Sequence, residues 1–504
     1  MKISARTQRT NTIRRLSAEP LDLLVVGGGI VGSGVARDAA QRGLRTAILD
    51  RNDFAFGTSS RSSRLIHGGL RYLEQGRVWL VREASIEKMR MQHVAPHLTQ
   101  PLGFLFPVYR SAGRPMWQMR IGVNLYDLLC GGRNFQPSRG FSRAETMGRV
   151  AGINPQDLLG AVRYYDALTQ DARLVIDTIR SAERQGAIAL NYLRFVDGRR
   201  EGDFWKCLVE DVLTGETLPV RARTVVNATG PWMQEIPNSG IQLRLSKGIH
   251  LVVDRKELPV VDEAVVLTEG KRILFVLPWG ERVIIGTTDT DYQGDPAAVR
   301  VEAADIAYVL ESVRRTFPGS TLTADRVISA WAGVRALIAN PDGSPSDISR
   351  THEIRRTADG WWDVAGGKLT TYRLMAEQCV NKVVRRLGGA YPACRTAGEP
   401  LLPPTETRYS SVVPPEVTRA VVDHLIEHEW AMSLRDVMVR RTSWHYYHRD
   451  AVAVAEQVAG WMAERLDWSA ARVQEELEAY QRETAADGWT QGVLMNDHPK
   501  TVAR

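Results

Sequence analysis

A chain of 504 residues is too long for one simple core and implies two or three domains. Its 44% hydrophobic content is ordinary for a soluble globular protein, no run of eighteen apolar residues offers a membrane span, and four scattered cysteines form neither a disulfide framework nor a zinc motif, which fits a reducing cytoplasm. The net charge of +7 suits an anionic substrate, an anionic membrane face or simple solubility, but no basic stripe with interleaved aromatics marks a nucleic-acid module.

Residues 1–20 carry Lys2, Arg6, Arg9, Arg14 and Arg15 against the single acid Glu19, the composition of a disordered basic tail. The Arg14-Arg15 pair is not followed by the apolar stretch of an export signal. The next segment, LDLLVVGGGIVGSGVARDAAQRGLRTAILD (21–50), predicts a buried strand over Leu21–Val26, a helix through about Arg42 and a second strand closing on Asp50. Between the first strand and the helix stands Gly27-x-Gly29-x-x-Gly32, with Gly28 inside it. The spacing serves a tight turn, close approach to a pyrophosphate, and helix-on-strand packing, while the helix start directs N–H groups at the phosphates. Asp50 is placed to accept from an adenosine ribose. The motif alone leaves FAD and NAD both open.

A nicotinamide enzyme would continue with alternating strands and helices. Here RNDFAFGTSSRSSRLIHGGLRYLE (51–74) follows, a glycine- and hydroxyl-rich loop leading to a helix over roughly 74–93. Thr58, Ser59, Ser62 and Ser63 offer donors to a pyrophosphate or flavin edge, and Gly68-Gly69 permits close approach to a flat ring. Farther along, VVNATGPW (225–232) runs from an apolar strand into a small-residue turn, and GGKLTTYR (366–373) sets two glycines before a helix beginning near Leu369. Such a helix start can stabilise negative charge. Strand-like segments at 189–213, 249–253, 265–268, 273–279 and 283–288 suggest a central antiparallel sheet. From about residue 400 apolar residues recur at helical spacing, and Trp430, Trp444, Tyr446 and Tyr447 there suit packing.

The glycine motif with Thr58-Ser59-Ser60, SSRLIHGGLRYLE, VVNATGPW, IIGTTDTDYQGDP (284–296), WAGVRALI (331–338) and GGKLTTYR together resemble the FAD-dependent, quinone-linked glycerol-3-phosphate dehydrogenases of bacteria and mitochondria. The resemblance spans about Leu21 to the C-terminus. It implies α/β and α+β architecture: a Rossmann-like FAD-binding domain from 21–100, 165–235 and 330–385, a substrate domain from 101–164 and 236–329, and a helical domain over 400–504. It implies FAD contacts at Gly27, Gly28, Gly29, Gly32, Asp50, Thr58, Ser59, Ser62, Ser63, Leu65, His67, Gly68, Ala228, Thr229, Gly230, Asp289, Gly333, Lys368, Leu369 and Thr370. Substrate contacts are implied for Arg71, Tyr72, His250, Arg335, Arg350 and Lys368, with His250 favoured as general base and Arg335 or Lys368 sharing that task.

The implied reaction is oxidation of glycerol 3-phosphate to dihydroxyacetone phosphate, with electrons passed to quinone from the inner face of the cell membrane. No metal is implied, and the resemblance admits a homodimer. His67 is the residue to check for a covalent flavin. Two departures from the family pattern bear on substrate binding, Ala336 in place of a proline after Arg335 and Thr351 in place of an acid after Arg350. The alternatives are an oxidase that releases peroxide and a non-catalytic flavin- or nucleic-acid-binding subunit.

Overall fold

A computed structural model describes residues 5–113, 115–132, 134–258, 262–269, 272–339 and 352–486. Strand Leu21–Val26, apolar on both faces, takes the centre of a sheet that is eight-stranded among the described residues. It pairs in parallel with Thr46–Leu49 on one side and Thr217–Asn227 on the other. Ile188–Leu190 and Trp361–Gly366 extend the parallel array, and His352–Ala358 closes one edge in antiparallel sense. A parallel sheet needs both faces covered. Helices Ile30–Gln41, Asp171–Arg184 and Tyr372–Leu387 bury Val35, Ile176, Ile179 and Val380 on one face. A hairpin, Leu193–Glu201 with Phe204–Asp211, brings Phe195 and Trp205 to the other. The stretch 189–213, expected in the central antiparallel sheet, therefore belongs here: the hairpin pairs with the early half of Thr217–Asn227.

The second sheet is mainly antiparallel and has ten strands among the described residues. Glu263–Glu269 lies parallel to Gln100–Tyr109 at its middle. Helix Ala303–Thr316 covers one face through Ile306, Val309 and Val313. Strand Val327–Ile338, assigned from sequence to the FAD-binding unit, pairs with Leu243–Asp254 from Leu243↔Ile338 to Val253↔Val327. Two long apolar strands in register outweigh chain proximity to the next dinucleotide-sheet strand.

Residues 5–18 correct a second expectation. They form a helix, not a disordered tail. Leu16 is fully buried against the first sheet, Arg9 Nη1 donates to Asn191 O at 2.8 Å, and Arg9 Nη2 pairs with Asp211 at 2.9 Å. Part of the basic charge thus faces inward, although Arg14 and Arg15 are exposed.

The C-terminal helices Arg419–His428, Ala451–Leu466 and Ala470–Ala486 pack on the second sheet around a core containing Trp279, Trp331, Trp444 and Tyr446. Residues 487–504 of the expected helical domain lie outside the described residues. Trp444 and Tyr446 are fully buried, Trp430 meets Phe54 edge-on at 5.3 Å, and Tyr447 meets Trp279 at 4.9 Å. All four aromatics pack.

Charge also joins this domain to the first. Buried Asp53, just past the second dinucleotide strand, accepts from Arg440 Nε at 2.5 Å, Arg441 Nη1 at 2.6 Å and Asn191 Nδ2 at 2.8 Å. Arg173 grips Glu429, with Nη2–Oε1 at 2.9 Å. The guanidiniums hold Asp53 and Glu429 well below the usual carboxylate range despite burial. Because both folded values are depressed, this contribution to stability is full above the unfolded pKa of about 4 and is lost as pH falls toward the folded values. Asp53→Ala leaves buried Arg441 without its carboxylate and Arg440 with Asp436 alone, and urea unfolding at neutral pH should show a loss of about 3–5 kcal/mol. Unchanged unfolding would remove Asp53 as the tie.

Candidate active site

The two sheets enclose a cavity of about 1820 Å³, well above the ~300–1,000 Å³ of most small-ligand sites. The dinucleotide turn forms one end. Gly27 has φ +107°, and a Cβ there would lie 2.6 Å from Ala228 O; a Cβ on Gly32 would lie 1.9 Å from Gly27 O. Only bare backbone lets these turns meet. Gly29, which starts helix Ile30–Gln41, brings no side chain to cap it; Ser59 Oγ takes the Ile30 N–H, and the other free N–H groups of the first turn can receive an anion. Asp50 lines the cavity while Oδ2 accepts from Gly28 N at 2.8 Å and Oδ1 from Asn52 N at 2.9 Å. Burial outweighs those two bonds and pushes its carboxyl up to about 7.

The loop after this strand borders the cavity, and its hydroxyls also tie it to the elements around it. Thr58 Oγ1 donates to Val334 O at 2.7 Å, Ser59 Oγ accepts from Ile30 N at 3.0 Å, and Ser62 Oγ accepts from Arg64 N at 3.0 Å. Ser63 Oγ lies 2.8 Å from His250 Nε2. Thr58, Ser59, Ser62 and Ser63, expected as donors to the cofactor, all line the cavity, and Ser59 and Ser62 only accept in these bonds. Leu65, His67, Ala228, Thr229, Gly230, Asp289, Gly333 and Leu369 line the cavity as well.

Gly28, Gly32, Gly68 and Thr370 stand behind the wall. Gly68 N donates to the Tyr126 hydroxyl at 2.8 Å, and that hydroxyl bonds Asp166, which pairs with Lys88 at 3.0 Å. Thr370 Oγ1 latches both the N–H and the carbonyl of His67, at 2.9 and 3.0 Å. The helix expected near Leu369 opens with a tight turn, Leu369–Thr371, before Tyr372–Leu387.

His250, Arg335, Lys368, Arg71 and Tyr72 line the same cavity. Arg335 Nη2 donates to Thr287 Oγ1 at 3.0 Å and Thr288 O at 3.2 Å, and Nη1 lies 3.3 Å from Asp289. Its approach depends on Gly248, where a Cβ would sit 2.4 Å from Nη2. Lys368 Nζ lies 4.0 Å from the Tyr72 ring centroid, and Arg71 is exposed at the rim. Arg350 lies outside the described residues.

The His250 ring is buried, stacks on Trp331 at 5.1 Å, and its Nδ1 has no hydrogen-bond partner among the described residues. Burial, then the charges of Arg335 and Arg64, lower its pKa well below 6.5, so the imidazole is neutral and able to accept a proton. Sequence reasoning missed Arg64, Trp331 and Asp171 as parts of this surround. Arg64 and Trp331 stood inside quoted motifs, but their contacts join positions hundreds of residues apart.

A dinucleotide-sized cavity ending in a neutral histidine and fixed cations defines a flavoprotein-type oxidoreductase. Residues 22–375 match the model of the family described as FAD dependent oxidoreductase, and residues 376–473 match the C-terminal domain of alpha-glycerophosphate oxidase. The chain is 36% identical to glycerol-3-phosphate dehydrogenase 2 of Mycobacterium tuberculosis, over 98% of this chain and 92% of that one. It is 35% identical to the aerobic glycerol-3-phosphate dehydrogenase of Staphylococcus haemolyticus, over 77% and 72%. The structure of the Bacillus halodurans glycerol-3-phosphate dehydrogenase complexed with FAD superposes with a TM-score of 0.77 at 29% identity, over 96% of this chain and 98% of that one. The chain belongs to the FAD-dependent glycerol-3-phosphate dehydrogenase family.

The bare glycine cradle and the Asp50 carboxylate fit the adenosine-diphosphate part of FAD. Ionised Asp50 can accept from ribose hydroxyls, whereas its protonated form accepts more weakly. Because its pKa in the free protein is raised to about 7, flavin affinity of the apoprotein should be flat above pH 7 and fall as pH drops below it. Asp50→Asn should weaken binding and flatten that dependence, as read by flavin fluorescence titration. A sloping profile in the variant would assign the pH effect elsewhere.

Proposed function

We propose that the chain oxidises sn-glycerol 3-phosphate to dihydroxyacetone phosphate and delivers the electrons to a membrane quinone. The observation that carries this reading is that neutral His250, under the charge of Arg335, lines the same dinucleotide-sized cavity as Lys368 and the glycine turn. Arg335 offers a planar fork to a phosphate or to a polarised hydroxyl, and its partners Thr287, Thr288 and Asp289 fix its direction. FAD, when bound, supplies the acceptor for the hydride leaving the alcohol carbon. His250 Nε2, or the Ser63 hydroxyl bonded to it, takes the alcohol proton as the carbonyl forms. Lys368 and Arg335 stabilise negative charge gathering on that oxygen.

Helix Met116–Leu129 supports quinone and a peripheral position on the membrane. Trp117, Ile121, Leu125 and Leu128 form an exposed apolar stripe at helical spacing, and Ile121 and Leu125 also line the cavity mouth. Trp79, 79% exposed, lies in the helix Val78–Val94 that packs against it. Exposed Arg82 and Arg120 flank these apolar groups, an arrangement suited to an anionic lipid surface. No helix among the described residues is long and apolar enough to cross a membrane. The oxidase reading draws on the name of the matching C-terminal domain model, and a nucleic-acid role gains no support from cations gathered inside a cavity.

Anaerobic glycerol 3-phosphate should bleach the yellow protein, and a quinone analogue should restore its colour. Stoichiometric peroxide in air without quinone turnover would favour the oxidase. Arg335→Lys keeps the charge but loses the fork, so kcat/KM should fall by about 1.5–3 kcal/mol in transition-state terms with flavin content retained. Wild-type kinetics would take Arg335 out of the site. Ile121→Glu should abolish co-sedimentation with anionic vesicles while preserving turnover with a water-soluble acceptor; undiminished co-sedimentation would exclude this helix as the docking face.

A further inference from the structure

Arg64 is a buried cation that neither cofactor binding nor the proposed chemistry uses. It is 1% exposed. Nη2 donates to Ser443 Oγ at 3.1 Å, while Nε and Nη1 find no hydrogen-bond partner among the described residues. In place of a carboxylate the guanidinium faces aromatic rings, with Trp279, Trp331 and Tyr446 centroids at 4.5, 4.9 and 5.9 Å. Asp171, which binds the Ser62 amide at 3.0 Å, acts on it through space. A charge buried this way is costly, and an apolar side chain of similar volume would avoid the cost.

Its surroundings lead to His250 by two routes. Trp331 stacks on the imidazole with an interplanar angle of 20°. Ser63, the preceding residue, bonds Nε2. Arg64 itself has φ +55°, a left-handed conformation uncommon for a long side chain. This kink lets Ser63 reach the histidine while Arg64 enters the aromatic box. On its far side the box is built from Ser443 and Tyr446 of the C-terminal domain.

We propose that Arg64 is a positioning residue for the reaction: held by Trp279, Trp331, Tyr446 and Ser443, it fixes the Trp331 indole against His250 and ties the C-terminal domain to the proton acceptor. The inference rests on the dehydrogenase reading of the same cavity. A second consequence follows from charge. The charged groups acting on the imidazole are Arg335 on the paired strand Val327–Ile338 and Arg64 beside Trp331, and Asp171 behind Ser62 acts in turn on Arg64. The two cations disfavour a proton on His250 in the empty site, and an entering phosphate dianion offsets them. The base therefore becomes competent to hold a proton when substrate is present.

The test compares Arg64→Met, Arg64→Lys and Tyr446→Leu in the full-length, flavin-loaded protein. Imidazole NMR, with His250→Gln to assign the signal, follows protonation without substrate, and steady-state kinetics run in parallel. In Arg64→Met the onset of His250 protonation should move up by about one pH unit, the acid limb of kcat/KM should move with it, and kcat should fall. Arg64→Lys, which keeps the charge, should restore the onset but not the full kcat. Tyr446→Leu should lower kcat about three- to tenfold with KM within about twofold and the onset unchanged. A folded Arg64→Met with wild-type onset and kcat overturns the proposal. If Arg64→Met does not fold, wild-type kcat in both other variants overturns it. Failure of glycerol 3-phosphate to reduce the wild-type flavin would instead sink the dehydrogenase reading, since the NMR shift is measured without substrate.

Discussion

The segment 57–70 has to bond to both sheets at once, and the rest of the site depends on that constraint. Thr58 is hydrogen-bonded to the backbone of Val334, the Arg61 backbone fills the space a Cβ on Gly333 would need, and Ser63 meets His250. Leu65–Ile66 then joins the second sheet beside Leu158–Leu168, and His67 is latched to Thr370 at the start of a helix of the first domain. Hydroxyls and glycines are crowded here because two backbones approach within hydrogen-bond distance and larger side chains would separate them. The same segment floors the cavity, so its geometry sets the distance between dinucleotide turn and substrate cations.

Polar groups do most of the joining between domains, and apolar packing fills the space around them. Asp53 with Arg440 and Arg441, and Arg173 with Glu429, are fully buried ion pairs that satisfy one another. Buried pairs of this kind add little net stability over apolar replacements but penalise a broken or shifted arrangement heavily. They therefore fix register between the C-terminal helices and the dinucleotide domain. That register places Ser443 and Tyr446 beside Arg64.

Arg335 and the buried Arg64 act on the neutral His250, while Asp50 lies at the glycine turn. An anionic alcohol is drawn in by the same cations that keep the histidine deprotonated. Binding and base strength are thus linked through one field.

Local sequence determined the first strand, the glycine turn, the helix behind it and Asp50, because those features lie within thirty residues and each obeys a short-range rule. The helical character of the C-terminal third was legible from its 3.6-residue period for the same reason. Tertiary structure decided the rest. Strand Val327–Ile338 joined the second sheet because Leu243–Asp254 offered a full-length partner, and residues 5–18 became an ordered helix because Asp211 and Asn191 were there to receive Arg9. Whether a hydroxyl such as that of Thr58 faces a ligand or braces a loop depends on which backbone lies opposite, and here that backbone, Val334, comes from hundreds of residues away. The depressed pKa of His250 was likewise invisible in its neighbours along the chain, since burial and the charges of Arg335 and Arg64 reach it only through the fold.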